Sequence, residues 1–531
     1  MTGFPVLFAA AATAAFFSAS SPAPVLAAEH AWPSPAITAA VDDAVARYAL
    51  PGIAVGVVAD GEVRQLELRG ESVLGSGEAI AQDTLFKVAS NTKAMTAALL
   101  ARQVDAGLLA WDDPVVKHLP GFLMREDWVT REMQVRDLLI HNSGLGPGAG
   151  DLMLWPEPNA FTREDVIAGL AHLRPRWSFR SRYAYDNTLY IVAGEVAAAV
   201  GGAPFDVLLR REVFEPLGMH GCRIGEWRVD EAGPVAAPHV RRDGAWIARP
   251  DGAVVADMPM AAAGGVRCGL ADMLRWVQAW LDPGAKGADG PPWLSAEQRK
   301  AAWTAHMPMP LGARMRGWNR SHYYAYGYGW RLSDVDGTGK VAHTGTLSGM
   351  YSAVTLLPEL GVGYVILVNG DAGDARLVLE QVLGKHFTAP GERRTVAGYA
   401  QALAEERAVA TPGGDATDVA PREPVSAAAA QAWLGRYRDP WFGEVSICAS
   451  GEGVHFSAAK SPRLSGPVLR AGGRLLVDFD TLGPDADAWL DFSVGPDGRP
   501  VALAVAKVDP DADFSYDYED LGFVLAGACG D

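Results

Sequence analysis

At residues 411–424 the chain reads TPGGDATDVAPREP, a run of Pro, Gly and charge without an apolar period, and the sequence on its two sides follows different rules. Before it, strand signals at both ends enclose a long stretch of helix-period apolar residues. After it come only short alternating segments. A chain divided in this way folds as at least two domains, and 531 residues at 49% hydrophobic can bury more than one core. An Ala-rich helix, AGYAQALAEERAVA, precedes the run, so residues 391–424 read as helix plus linker and the second domain starts near Val425.

In the first domain, residues 52–59 and 63–69 read as strands joined by a tight turn at Asp60-Gly61. Residues 328–333, part of 343–357, and 363–369 read as three more, with Asp-Gly and Pro-Glu turns between them and a helix over 374–387. These five predict an antiparallel sheet built from both ends of the domain. Residues 90–105, 162–172, 189–200 and 270–281 carry helix-period apolar residues and predict a helical lobe inserted between. The class is α+β. Past Val425, GEVSICAS, GVHFSAAK, RLLVDFD, AWLDFSVG and PVALAVAKV alternate at strand period, with turns at Gly472-Gly473 and Asp497-Gly498. That spacing predicts a small all-β barrel or sandwich. The acidic run 509–520 reads as a solvated edge strand whose charges discourage edge pairing.

Chemistry enters at Ser90 and Lys93, in VASNTKAMTAALLARQ, where an apolar run leads into the first predicted helix. Spacing i, i+3 places a hydroxyl and an amine on one helix face, and an amine held against a serine can take its proton. A serine in the first turn also has the unpaired N–H groups and the positive dipole end beside it. Ser457 and Lys460 form a second S-x-x-K, but on a predicted strand and turn, where the two do not share a face; they read as surface residues. Further along stand Tyr185 and Asn187 in FRSRYAYDNTLYIVAGEV, then His343, Thr344, Gly345 and Thr346 in GKVAHTGTLSGM.

The ordered set S-x-x-K, Y-x-N, H-T-G, with LLAWDDPVVKHLPGF, VRDLLIHNSGL, FEPLGM and AAAGGVRCGLADMLRWV, resembles the serine beta-lactamase and penicillin-binding-protein superfamily. Within it the chain is similar to the class C beta-lactamase-related branch of D-aminopeptidases, D,D-peptidases and esterases, over roughly residues 35–390. LGRYRDPWFGEVSI and DADFSYDYEDLGF resemble the lipocalin-like domain appended to some bacterial members. The resemblance implies a beta-lactamase/transpeptidase-like domain over 30–390 and a lipocalin-like barrel over 425–531.

The resemblance also implies roles. Ser90 is the acylated nucleophile, with Lys93 or Tyr185 as base. Asn187 holds Lys93 and meets a substrate amide. His343, Thr344 and Gly345 belong to the substrate-binding strand, and the N–H groups of Ser90 and Thr346 form the oxyanion hole. Taken by themselves, Tyr185 reads equally as a core aromatic and Asn187 as a helix N-cap; a strand histidine satisfied by a neighbour is the lesser reading of His343, because Thr-Gly follows it. Where lysine stands in the lactamases, a histidine with an ordinary pKa near 6.5 is mostly neutral at pH 7, which argues against efficient penicillin hydrolysis. By the same resemblance, His141 supports a loop beside the cleft. In the aromatic cluster 322–330, the first residues are candidates for the acyl pocket and the later ones for core. Asp334-Val-Asp336-Gly337 reads as a hairpin turn, since no glutamate closes a calcium loop.

Net charge is −17, which argues against nucleic acid as a partner. Residues 1–27, with a short apolar core and Val25-Leu26-Ala27, read as a signal peptide despite an uncharged start; a retained anchor is the alternative. No later segment has the roughly 20 apolar residues of a span. Four cysteines allow three connectivities; Cys222 with Cys268 and Cys448 with Cys529 keeps each bridge within a domain, and free buried thiols are the alternative. No metal or cofactor motif is present among the 11 histidines. The expectation is an exported, periplasmic or secreted serine hydrolase for a small-molecule or peptide substrate, first of all a peptidase on D-residues. A short-chain carboxylesterase, a beta-lactamase and a non-enzymatic cell-wall-binding protein are the alternatives.

Overall fold

A computed structural model describes residues 32–286, 290, 292–392, 394–410, 421–479, 482, 484–496 and 500–530. The expected leader, most of the linker run and the Asp497-Gly498 turn lie outside them. Helix α1 (Pro35–Tyr48) precedes strands β1 (Gly52–Ala59) and β2 (Glu62–Gly70), whose turn has φ of +52° at Asp60 and +77° at Gly61, the signs a two-residue hairpin loop requires. The sheet is completed late in the domain by β3 (Met307–Pro308), β4 (Tyr324–Tyr326), β5 (Arg331–Val335), β6 (Thr338–Leu347), β7 (Met350–Leu357) and β8 (Val362–Val368). Its order is β2-β1-β8-β7-β6-β5-β4-β3, antiparallel throughout, eight strands where five were expected. The added strands are short, and the expected strand over 328–333 is divided: Gly327 and Gly329 break it from β4, and pairing resumes at Arg331.

All eight residues of β1 are buried because helices cover both faces of the sheet. On one face lie α1, α6 (Gly373–Thr388) and α7 (Val396–Ala410). The Ala-rich helix assigned to the connection is therefore a layer of the first domain: Val396, Tyr399 and Leu403 of α7 share a core with Ile37, Val41 and Leu379. Each such side chain contributes about 1.5–3 kcal/mol of burial. On the other face sits α5 (Leu270–Leu281), followed by the lobe of α2 (Thr92–Asp105), α3 (Arg163–Gly169) and α4 (Thr188–Gly201). Cys222 is bonded to Cys268, and Cys448 to Cys529.

The second domain is a closed barrel of eight strands: β9 (Gly435–Asp439), β10 (Gly443–Ser450), β11 (Gly453–Ala458), β12 (Ser465–Ala471), β13 (Arg474–Val477), β14 (Ala488–Val494), β15 (Pro500–Lys507) and β16 (Phe523–Gly527). They run β12-β11-β10-β9-β16-β15-β14-β13 and close by β13 on β12. Alternation along β11 and β12 puts Val454, Phe456 and Val468 inside. Among the described residues no single helix is long and apolar enough to cross a membrane.

Candidate active site

Ser90 lies in the 3-10 turn Ala89–Asn91 that opens α2, and Ala89 before it has φ +48°, an unfavourable value for alanine that turns the chain sharply as it presents the serine. Strand β6 passes directly alongside. A Cβ at Gly345 would stand 2.2 Å from the Val88 carbonyl oxygen, so only glycine lets the strand lie against the nucleophile's segment. Ser352 of β7 pins the same segment, donating to the Val88 carbonyl at 2.7 Å and accepting from Asn91 at 2.8 Å.

Lys93, one turn on, is fully buried. Its Nζ lies 3.1 Å from Ser90 Oγ, 2.7 Å from Asn187 Oδ1 and 2.9 Å from the Ala263 carbonyl oxygen. Tyr185 donates its hydroxyl to Ser90 Oγ at 2.8 Å, and Nζ of Lys93 stands 4.9 Å from the centre of its ring. Asn187 occupies the N-cap position of α4 without capping it; Asp186 Oδ1 accepts from Leu189 N instead, at 3.0 Å. The amide of Asn187 is thus free to bridge Lys93 and Asp151, to which its Nδ2 donates at 2.9 Å. A cavity of about 670 Å³ opens over Ser90, Tyr185, Asn187, Thr344 and Thr346.

His343 departs from its expected place. Thr344 and Thr346 share one face of β6, while His343 shares the opposite face with Gly345 and is fully buried. Its ring bridges the Thr344 carbonyl oxygen and the Tyr326 hydroxyl, each at 2.8 Å, which makes Nε2 the acceptor from Tyr326. Burial, with Arg331 and Lys93 adding repulsion, holds its pKa well below the ordinary value, so it supplies no cation to a substrate. His141 is likewise buried and neutral: its Nδ1 accepts from Asp186 N at 3.1 Å, and its ring packs 4.4 Å from that of Tyr185.

Both histidines are neutral when folded and gain a proton when unfolded below pH 6.5, so the unfolded state binds more protons and acid costs stability. A His343→Asn variant should therefore gain on the wild type by about 1.4 kcal/mol per pH unit below roughly 6.5. Urea midpoints at pH 7.5 and 5.5 check this, and a constant difference between the two proteins contradicts it.

Lys87, Arg249, Arg331 and Arg463 are cations that line the cavity, and of these Arg331, at the start of β5, lies against the H-T-G strand; sequence reasoning missed it. It donates to Thr344 Oγ1 at 2.8 Å and lines the cavity. Arg376 of α6 donates to the Gly345 carbonyl at 2.9 Å and to Thr346 Oγ1 at 3.1 Å. Neither guanidinium is in a salt bridge among the described residues. The sequence signal was thin: one arginine beginning a strand beside the H-T-G strand.

The acidic run also departs from its reading. Residues 513–517 form a strap that leaves the barrel and enters the cleft. Asp517 is 2% exposed and accepts from Gly150 N at 2.6 Å and Leu152 N at 3.1 Å. Ser515 Oγ donates to Asp151 Oδ2 at 2.8 Å, and the ring of Phe514 meets that of Tyr185 edge-on at 5.6 Å. Gly148, at φ +71°, admits the strap: a Cβ there would stand 2.6 Å from the Phe514 carbonyl oxygen. Burial pushes the carboxyls of Asp151 and Asp517 well above their usual range.

Lys460, read as a surface residue, joins the domains by pairing with Asp165 at 2.7 Å, while the Ser457 hydroxyl bonds that of Ser446 and no other side chain among the described residues. In the aromatic cluster, His322 points to solvent and pairs with Asp334, whereas Tyr326, Tyr328 and Trp330 are core; the cavity's aromatic walls are Trp155, Tyr183, Tyr185, Tyr351, Phe514 and Tyr516. No group of metal-ligating side chains is present among the described residues.

Residues 37–386 match the beta-lactamase family. Penicillin-binding protein 4 of Amycolatopsis lactamdurans is 31% identical over 325 residues, 60% of this chain and 81% of that one. The D-alanyl-D-alanine-carboxypeptidase/endopeptidase AmpH of Escherichia coli (strain K12) is 25% identical over 327 residues, 59% of this chain and 78% of that one. Among solved structures, the octameric penicillin-binding protein homologue from Pyrococcus abyssi aligns over 92% of this chain and 99% of its own, at TM-score 0.57 and 18% identity, a likeness of fold that reaches across both domains.

Proposed function

Since the chain belongs to the beta-lactamase family, we propose that it works as an exported serine hydrolase that opens amide bonds in peptides with D-residues and a free C-terminal carboxylate. One observation carries the hydrolase reading: Ser90 Oγ sits within hydrogen-bond distance of both Lys93 Nζ and the Tyr185 hydroxyl, under an open cavity. In the reaction Ser90 Oγ attacks the substrate carbonyl as its proton passes to the Lys93–Tyr185 pair. The N–H groups of Ser90 and Thr346 receive the oxyanion. The pair returns the proton to the departing amine, leaving an ester on Ser90, and water then attacks that ester to release the acid.

The carboxylate preference rests on Arg331. A guanidinium on the Thr344 hydroxyl, free of any salt bridge among the described residues, suits a carboxylate on the leaving-group side, a place the buried and neutral His343 cannot fill. The D-configuration is supported by the relatives named penicillin-binding protein and D-alanyl-D-alanine-carboxypeptidase. Export is supported by residues 1–27 and by two disulfides, which persist in oxidising compartments.

The test compares a peptide ending in D-alanyl-D-alanine with its C-terminal amide. Arg331→Gln should lower kcat/KM for the free acid about 10- to 100-fold, mostly through KM, and change the amide less than about threefold. Equal effects on acid and amide remove the carboxylate assignment. A wild type that prefers nitrophenyl butyrate over both peptides is a short-chain esterase.

A further inference from the structure

Asp151 is fully buried, and of its two oxygens only Oδ2 has partners among the described residues: Asn187 Nδ2 at 2.9 Å and Ser515 Oγ at 2.8 Å. One of those partners comes from α4 and the other from the barrel. Asn187 in turn presents Oδ1 to Lys93 Nζ at 2.7 Å, and Nζ meets Ser90 Oγ at 3.1 Å. An unbroken line of hydrogen bonds therefore runs from the second domain to the nucleophile. The segment bearing Asp151 is held on the same side by Asp517, through Gly150 N and Leu152 N. Its other side is held by the chain leading into α4: Gly148 N donates to the Tyr185 carbonyl oxygen at 2.8 Å.

We propose that Ser515 is a positioning residue of the active centre, supplied by the barrel domain: it fixes the Asp151 carboxyl, which fixes the Asn187 amide, which holds Lys93 on Ser90. The proposal rests on the serine-hydrolase reading above. Its physical basis is rotational. With two donors on one oxygen, the carboxyl has a single orientation. With Asn187 as the sole donor, carboxyl and amide turn together, and the direction in which Oδ1 receives Lys93 is no longer set. Small losses of alignment at a nucleophile–base pair lower rate more than they lower substrate affinity. The barrel is then part of the catalytic apparatus and not only a cover over the cleft.

Ser515→Thr and Ser515→Val have the same shape and differ in one hydroxyl. In the full-length protein the threonine variant should acylate with a fluorophosphonate at a rate close to wild type, and the valine variant about tenfold more slowly, with KM for the peptide substrate changed less than about twofold. In an Asn187→Ala background the Thr-to-Val difference should shrink below about twofold, because the line is already cut. Lys460→Ala, which removes a domain contact away from the cleft, should leave the rate unchanged. Equal rates for threonine and valine overturn the proposal, as does a difference that persists without Asn187. A Lys460→Ala loss as large as the valine loss also overturns it, since the effect would then belong to domain docking in general. If the wild type forms no adduct on Ser90, the hydrolase reading fails as well. An adduct with no Thr-to-Val difference leaves that reading standing and removes only the relay.

Discussion

With Ser90 replaced by alanine, the fluorophosphonate adduct will be absent from the intact mass and peptide turnover will fall by at least about 10³-fold, while thermal stability stays close to wild type. The size of the loss follows from what Ser90 does: no other described hydroxyl lies against both Lys93 and Tyr185. Ser90 Oγ bonds only these two side chains among the described residues: its removal frees the Tyr185 hydroxyl, which faces the cavity and can turn to water, and takes one of three partners from Lys93 Nζ, which keeps Asn187 Oδ1 and the Ala263 carbonyl oxygen. Ser457, the other serine of an S-x-x-K, should keep full activity as Ser457→Ala, because its hydroxyl meets Ser446 and no lysine. A Ser90→Ala protein that still hydrolyses peptide, or an adduct mapped elsewhere, removes the assignment. Binding of a peptide should survive in the variant, since Arg331 and the Thr344–Thr346 strand are untouched; binding with no wild-type turnover would leave a module that recognises cell-wall peptide without cleaving it.

How far the chain could be read depended on how local each feature is. Ser90 and Lys93 are one helical turn apart, so their neighbourhood was fixed by spacing. The Asp60-Gly61 hairpin and α5 were legible for the same reason. Gly345 carried its own explanation, since β6 lies on the Val88 carbonyl. His343 was misplaced because a motif gives an order of residues and not the face a strand presents: positions 343 and 344 point opposite ways, and the histidine took the buried side. The strap defeated local reading altogether. DADFSYDYED has the charge of a solvated segment, yet Asp517 is buried because two backbone N–H groups, some 365 residues earlier in the chain, await an acceptor. Arg331 was invisible for a related reason: an arginine opening a strand is ordinary until the neighbouring strand proves to carry Thr344. The Ala-rich α7 was read as a helix of the connection because it adjoins the linker in sequence, although Val396, Tyr399, Ala400 and Leu403 seat it on the sheet layer.

Lys93→Met should reduce the acylation rate by about 10³-fold and leave KM nearly unchanged. Methionine fills the buried channel with a similar volume, so the fold is kept, but Asn187 Oδ1 and the Ala263 carbonyl lose their donor and Ser90 loses the nitrogen 3.1 Å away. Two of the three contacts on Nζ are to carbonyl oxygens that can only accept. They take two N–H bonds and leave the third direction aimed at Ser90, where the nitrogen offers a lone pair as the amine or a proton as the ammonium. In the first state Lys93 withdraws the serine proton itself; in the second it stabilises a Tyr185 phenolate that does so. Both routes need the nitrogen, which is why the loss in Lys93→Met does not depend on which one operates. Tyr185→Phe separates them. A direct lysine base predicts a smaller loss, about tenfold, for the phenylalanine variant; a tyrosine base predicts a loss equal to that of Lys93→Met. Lys93→Arg should not rescue, because a guanidinium has no lone pair to offer at neutral pH and its plane does not fit a channel with no solvent exposure. Acylation of Lys93→Met within about tenfold of wild type would mean that Ser90 is activated without this amine, and the reading of residues 90 and 93 as a working pair would fall with it.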